Sequence, residues 1–287
     1  MSLVVCALVL VMLSARALPA AGPLQTLMGS GNQQESIRAI PFDELKEDVR
    51  GKLWDVVQNP TIYRRLPVKV IDCDPEMYLF LVRYPEIIVN IWELMDVTRV
   101  QVQRTGPFTF QASDGAGTVS TAELVYGTRT LHVVYAEGHY KGPLVKDLLK
   151  GRAVLLLHSG YTETDQRTYV TNRLDLFLQL DHPAAEVVAK TLQPLIGKTI
   201  DHNFAESAGF LGKVSRVAET NGAGLQQLAT RLESVQPDVR TKFSDVAAAV
   251  NHKAALRASA DQPEHDVAQL LEHTVPVPTA KDDKVAR

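Results

Sequence analysis

The chain is 287 residues long, 45% apolar and carries a formal net charge of −3, enough to bury one large or two small cores. Its 30 basic residues are outnumbered by 33 acidic ones, and no Lys or Arg cluster rises above pairs such as Arg64-Arg65, so no nucleic-acid partner is expected. The two cysteines, Cys6 and Cys73, exclude a disulfide framework, because Cys6 lies in a segment expected to be removed.

That segment, residues 1–21, has an apolar run from Leu3 to Leu13 followed by Ala15-Arg16-Ala17 and Pro19-Ala20-Ala21, the pattern of a secretory signal peptide. The run is shorter than the ~20 residues of a membrane span, so the mature chain is expected to be secreted or to reside in the periplasm or cell envelope with no stable transmembrane span. Residues 22–40, rich in Gly, Gln, Ser and Asn, read as a flexible leader, with order beginning near Pro41. Phe42, Leu45, Val49, Leu53 and Val56 recur at helical spacing behind acidic first-turn residues and predict an amphipathic helix to Gln58, stopped by Asn59-Pro60. Val68 to Ile71 can form a short strand. Asp72 or Asp74 then caps an apolar helix from Glu76 to about Met95, which Pro85 kinks or divides.

From Val97 to Leu180 the pattern is antiparallel strand. Thr98, Val100 and Val102 alternate with polar neighbours, and Phe108, Phe110 and Ala112 repeat the spacing after Gly106-Pro107. Asp114-Gly115-Ala116-Gly117 is a turn leading into Ala122, Leu124 and Tyr126 on one face; Leu131, Val133 and Tyr135 follow on the next strand. Pro143 to Lys150 can make a crossing, and Ala153 to Tyr161 is apolar enough for the middle of a sheet. The last strand places Val170, Asn172, Leu174, Leu176, Leu178 and Leu180 on one face, and a mostly wet face opposite has Phe177 as its large apolar exception.

Residues Pro183 to Leu195 and Phe204 to Ala218 predict a covering helix, broken or bent around Pro194 and Gly197, with one stripe at Val188, Leu192 and Leu195. The next stripe is Phe204, Leu211, Val214 and Ala218 with Phe210 beside it. The order short strand, bent helices, antiparallel strands and long C-terminal helix resembles the helix-grip plan of START-like lipid-transfer and polyketide-cyclase-like proteins over Leu66 to Asn221. The resemblance lies in element order. It implies an α+β fold, a curved antiparallel sheet packed on a long C-terminal helix with an apolar cavity between them, and it transfers no individual site residue. The domain is expected to span 41–221, with extra helices at either end.

Beyond Gly222, Leu225, Leu228, Leu232 and Val235, then Val239, Phe243, Val246 and Val250, sit at three- and four-residue spacing on two helices separated by Pro237. This extension, 222–258, reads as a hairpin folding back on its own domain or as a seam at 225–250 for a protein partner. A disordered tail is expected over 259–287.

Catalytic signals are scarce. His132, His139, His158 and Glu137 lie on neighbouring strands but share no ligand spacing, and His132 and Glu137 have opposite strand parity, so no metal is assigned. No Gly-x-Ser-x-Gly elbow, phosphate loop or dinucleotide glycine signature occurs, and no cofactor is expected. Asp181-His182 and Asp201-His202 stand where Asp more often caps a helix than orients a base. Asn172 on a leucine face is the better signal, since a buried amide needs partners and small-molecule sites combine apolar walls with few polar groups. The expected ligand site is Trp92, Tyr126, Tyr135, Asn172, Leu176, Phe204 and Phe210. The sequence thus points first to an exported non-catalytic binding or carrier protein for a hydrophobic small molecule or lipid. An envelope assembly module binding a protein partner, and a cyclase- or hydrolase-like enzyme, are the alternatives.

Overall fold

The computed structural model describes residues 29–142, 148–165, 167–180 and 185–260. The expected signal segment and nearly all of the expected tail lie outside the described residues, as do most of the crossing after Lys141 and the Val188, Leu192 and Leu195 side chains. The elements are α1 (Gly29–Arg38), α2 (Glu47–Gln58), β1 (Ile62–Arg65), β2 (Lys69–Asp72), α3 (Pro75–Arg83), α4 (Pro85–Leu94), β3 (Gln101–Arg104), β4 (Thr109–Ser113), β5 (Thr118–Gly127), β6 (Leu131–Tyr140), β7 (Leu149–Thr164), β8 (Arg167–Leu180), α5 (Ala185–Thr220), α6 (Gly222–Thr230) and α7 (Pro237–Ala260). The fold class is α+β: one eight-stranded antiparallel sheet, ordered β1-β8-β7-β6-β5-β4-β3, with helices on both faces. β1 and β2 share β8 as partner, β1 along Asp175 to Leu178 and β2 along Tyr169 to Asn172. Between them the Leu66 amide donates to the Leu174 carbonyl across 2.8 Å and keeps the chain on the sheet.

The front face carries α3, α4, α5 and the C-terminal helices. α3 starts where the sequence places it, because Asp74 Oδ1 accepts from the amides of Glu76 (2.9 Å) and Met77 (3.3 Å) and Pro75 needs no partner at the first turn. Pro85 divides the apolar run, as its missing donor requires: Tyr84 leaves helical geometry at φ −124°, ψ 63°, and α4 begins anew. α5, by contrast, is continuous through Pro194 and Gly197, where a break or a bend was expected. Gly197 serves close approach instead, since a Cβ there would stand 3.0 Å from Arg64 Nη1, and Arg64 is held by Asp201 on the same helix (Nε to Oδ1, 2.9 Å).

The back of β8 is not the wet face expected. Phe177 is fully buried with Val133, Tyr135, Val154 and Leu156 from neighbouring strands, beneath Ile37, Ile40, Leu45, Leu53, Val56 and Val57 of the N-terminal helices. Residues 29–38, expected to be part of a flexible leader, are therefore helical. The segment begins Gly-Ser-Gly-Asn, all weak helix formers, and is only 10 residues long, so the order comes from tertiary contacts. Arg65 donates to Asn32 Oδ1 (3.2 Å), Glu35 Oε2 (2.9 Å) and Ser36 Oγ (3.0 Å), while Ile37 is buried on the sheet. The expected helix from Phe42 splits into one 3-10 turn, Phe42–Glu44, and α2.

The stripe at 225–250 turns inward. Leu225, Leu232, Val235, Val239, Phe243 and Val250 are buried in the same cluster as α3 and α5, and Phe243 stacks on Phe80 with ring centroids 5.9 Å apart. The hairpin thus covers its own domain, and those side chains are not free to form a seam with a protein partner.

Candidate functional site

Register across the sheet lines up small side chains on the front face. Ala112, Ser120, Gly138 and Gly151 form one row through β4, β5, β6 and β7; Ala122, Ala136 and Ala153 form the next, closed by Phe110 on β4 and Leu178 on β8. Only in the row beyond, Leu124, Val134, Leu155 and Leu176, do the side chains become large. Gly138 is required where it stands, for a Cβ would meet the Val119 carbonyl oxygen at 2.6 Å. These rows make a shallow floor under the front helices. Trp92 of α4 and Phe210 of α5 belong to the layer over the sheet, their rings tilted at 54° with centroids 5.2 Å apart. Trp92 is buried and Phe210 half-buried.

The floor ends in a polar corner. In the turn from β4 to β5, Asp114 Oδ1 accepts from the amides of Ala116 (2.7 Å) and Thr118 (2.9 Å), and Gly115 and Gly117 take φ of 67° and 116°. Gly117 admits no side chain, because a Cβ would lie 2.3 Å from the Lys141 carbonyl oxygen. Asp114, Thr118 and Ser120 are only 4%, 4% and 3% exposed, and Asp114 Oδ2, Thr118 Oγ1 and Ser120 Oγ have no hydrogen-bond partner among the described residues. A buried hydroxyl or carboxylate oxygen left so costs about 1–3 kcal/mol, more where it is charged.

The expected site residues divide between the two faces. Trp92, Asn172, Leu176, Phe204 and Phe210 are on the front. Asn172 is satisfied by the protein: the Tyr78 hydroxyl donates to its Oδ1, and its Nδ2 donates to the Val170 carbonyl at 3.2 Å. Tyr78 in turn accepts from Ser159, 2.7 Å away, and burial pushes its phenol far above the usual range. Leu176 and Phe204 are packed core. Tyr126 and Tyr135 are on the back of the sheet and cannot wall a site with Trp92. For Tyr126 the reason is a bulge: Leu124 pairs with Val134 but Tyr126 with Val133, so the extra residue, Val125, reverses the parity of the strand. Tyr135 follows Val133 on the back face, where its hydroxyl donates to Glu137 at 3.2 Å. The corner itself was missed at the sequence level, although its signal was present: a Gly-rich turn followed by Thr118, Ser120 and Ala122 at alternate positions.

Two other buried charge clusters tie elements of the fold together. Buried Arg104 holds Glu86 (Nε to Oε1, 2.6 Å; Nη2 to Oε2, 3.3 Å) and lies between the rings of Tyr84 and Phe110. On the back, Asp175 accepts from Arg65 Nε at 2.7 Å and from the Tyr63 hydroxyl at 3.1 Å. His132 faces the front, His158 is beside Asp175 on the back, and His139 pairs with Lys150 at the other end of β6. The sheet thus keeps the three histidines apart, and among the described residues no group of three His, Cys, Asp or Glu side chains is placed to hold a metal. Asp181-His182 lies outside the described residues, and Asp201 is engaged with Arg64.

No protein family and no curated protein matches the chain. Among solved structures it is similar to a conserved protein of Geobacillus kaustophilus at 14% identity and a TM-score of 0.32, over 51% of this chain and 97% of that one. It is also similar to a hypothetical protein of Helicobacter pylori (9%, TM-score 0.33, 52% and 89%) and to truncated norcoclaurine synthase of Thalictrum flavum (10%, TM-score 0.30, 50% and 93%). Likeness at that level leaves the function to be argued from the chain's own residues.

Proposed function

We propose that this chain is an exported, non-catalytic binding or carrier protein for a hydrophobic small molecule or lipid, bound on the small-residue floor beneath Trp92 and Phe210. The carrying observation is the pair of rows of Ala, Gly and Ser, one across four strands and the other across three. Packed layers normally alternate large and small side chains, so a contiguous small block leaves volume that the opposite layer must fill. On this reading the guest displaces the Trp92 and Phe210 rings and takes that volume, with the backbone of the sheet unmoved. An apolar guest then gains about 25 cal/mol for each Å² removed from water.

Trp54 and Trp92 are the chain's two tryptophans, so a Trp54→Phe variant makes Trp92 the sole reporter. An environment-sensitive apolar dye is expected to bind saturably, to change Trp92 emission and to be displaced by an isoprenoid or a fatty alcohol. Ala153→Val, which raises the floor, is expected to weaken dye binding at least fivefold with an unchanged circular dichroism spectrum. Absence of saturable uptake of dye, fatty alcohol, fatty acid and isoprenoid by the folded protein would overturn the proposal. The export part rests on residues 1–21 and is tested by locating the chain and sequencing its N-terminus; a chain found only in the cytoplasm contradicts export, and one recovered outside that keeps Met1 contradicts removal of the segment.

A further inference from the structure

We infer that the ligand carries an uncharged hydroxyl head, which Asp114, Thr118 and Ser120 hold at the β4–β5 turn; this rests on the reading of the floor as a ligand site. The observation is the set of three buried oxygens without partners at one end of an otherwise apolar surface. Thr118 and Ser120 stand two residues apart on one strand face, about 7 Å along it, and Asp114 opens the turn directly opposite Thr118. Ser120 is in the first small-residue row, so a guest lying along the floor ends at this corner.

The atoms on offer select the head group. A carboxylate can only accept, and the two hydroxyls each donate one hydrogen bond while accepting others. A ligand hydroxyl satisfies the set, giving its hydrogen to Asp114 Oδ2 and accepting from Thr118 or Ser120. A fatty-acid carboxylate would place a second negative charge beside Asp114 in a water-poor corner, where like charges repel strongly. The cations on this side of the sheet give it no relief. Arg104 stands opposite Phe110, four residues before Asp114, with Nε and Nη2 bound to Glu86, Nη2 also to the Arg83 carbonyl and Nη1 to the Pro107 carbonyl. Arg99, whose Cβ is beside Gly115, is exposed to solvent. A protonated amine would pair with Asp114, and the Thr118 and Ser120 oxygens could accept from it, but it has no acceptor and would leave the hydrogens of both hydroxyls without a partner. Buried water can satisfy the same atoms, but it imposes no choice among ligands. Head-group discrimination therefore separates the two explanations.

The experiment uses the full chain and three probes with one saturated hydrocarbon tail, ending in a primary alcohol, a carboxylate or an amine, each competed against the apolar dye at neutral pH. The alcohol is expected to bind at least tenfold more tightly than the acid and more tightly than the amine. In Ser120→Ala and in the near-isosteric Thr118→Val the alcohol's advantage, taken as the ratio of alcohol to acid affinity within one variant so that any change in dye affinity cancels, is expected to shrink at least threefold. Removing an unpaired hydroxyl should also leave the melting temperature of the ligand-free protein equal or higher, which keeps the variants measurable. Dye binding with acid or amine as tight as alcohol overturns the head-group assignment alone, as does a preference that survives in both variants. Failure of every probe to bind overturns the floor as a site as well.

Discussion

His132 is fully buried on β6, and Arg83 Nε donates to its Nε2 across 3.3 Å, which leaves the proton on Nδ1. Burial, and then the positive charge of Arg83, hold its pKa down at about 4, against the ordinary 6.5. Above 6.5 the imidazole is neutral in both folded and unfolded chains and contributes no pH dependence. As pH falls from 6.5 towards 4 the unfolded chain takes up the proton first, so stability is lost across that window, about 3 kcal/mol in all by the linkage of protonation to folding. Urea unfolding at pH 7, 5.5 and 4 is expected to show this loss, and His132→Asn to lose less over the same range; an equal loss in both would place the acid sensitivity elsewhere. Residue-level features of this kind were legible in part. Asn172 stood out in the sequence as a polar residue among leucines, but its donor, Tyr78, is 94 positions away and could not be read from any local pattern. Tyr126 was placed on the wrong face because strand alternation carries no mark of the bulge at Val125.

At the scale of elements, periodicity located most helices and strands, and what it missed came from contacts distant in sequence. The Pro85 break, the Asp74 cap and the leucine face of β8 are local chemistry and were legible. The continuous α5 was not, because Gly197 is read locally as a helix breaker, whereas here it makes room for Arg64 from β1. Nor was the helical leader, since α1 has no apolar stripe and is ordered by Arg65 and by the back of the sheet. Phe177 and the stripe of Leu45, Leu53 and Val56 were the visible traces of that back layer. If α1 and α2 cover it as described, Phe177→Ala creates a cavity and is expected to cost about 3–5 kcal/mol, whereas Phe108→Ala, at a side chain 57% exposed, stays within about 0.5 kcal/mol. Denaturant midpoints of the two variants check this. Comparable small effects would remove the N-terminal helices from the core.

Across the whole molecule the sheet is the shared wall of two apolar layers, and neither layer is confined to one stretch of chain. The front cluster draws on Ile62 in β1, the α3–α4 pair, four central strands, α5 and, through Phe243 and Val250, the C-terminal hairpin; the back cluster joins α1 and α2 to the same β6, β7 and β8. Loss of the hairpin would uncover Phe80 and its neighbours in α3, so residues 222–260 cannot leave without disturbing the front layer. Elements that share a buried surface of this kind unfold together, whereas a separately folded extension would melt by itself. The two tryptophans report the two faces, since Trp92 lies in the front layer and Trp54, 52% exposed, contacts Phe42 on the back at 5.4 Å. Urea unfolding followed by Trp92 emission in Trp54→Phe, by Trp54 emission in Trp92→Phe and by far-ultraviolet circular dichroism in each variant is therefore expected to give, within a variant, coincident transitions. The Trp92→Phe curve as a whole shifts to lower urea, because truncating a buried indole loses packing on the front. A circular dichroism transition that begins at lower urea than Trp92 emission in Trp54→Phe would mean that a helical layer detaches while the front core is intact, and the chain would then consist of a sheet domain with dissociable helices.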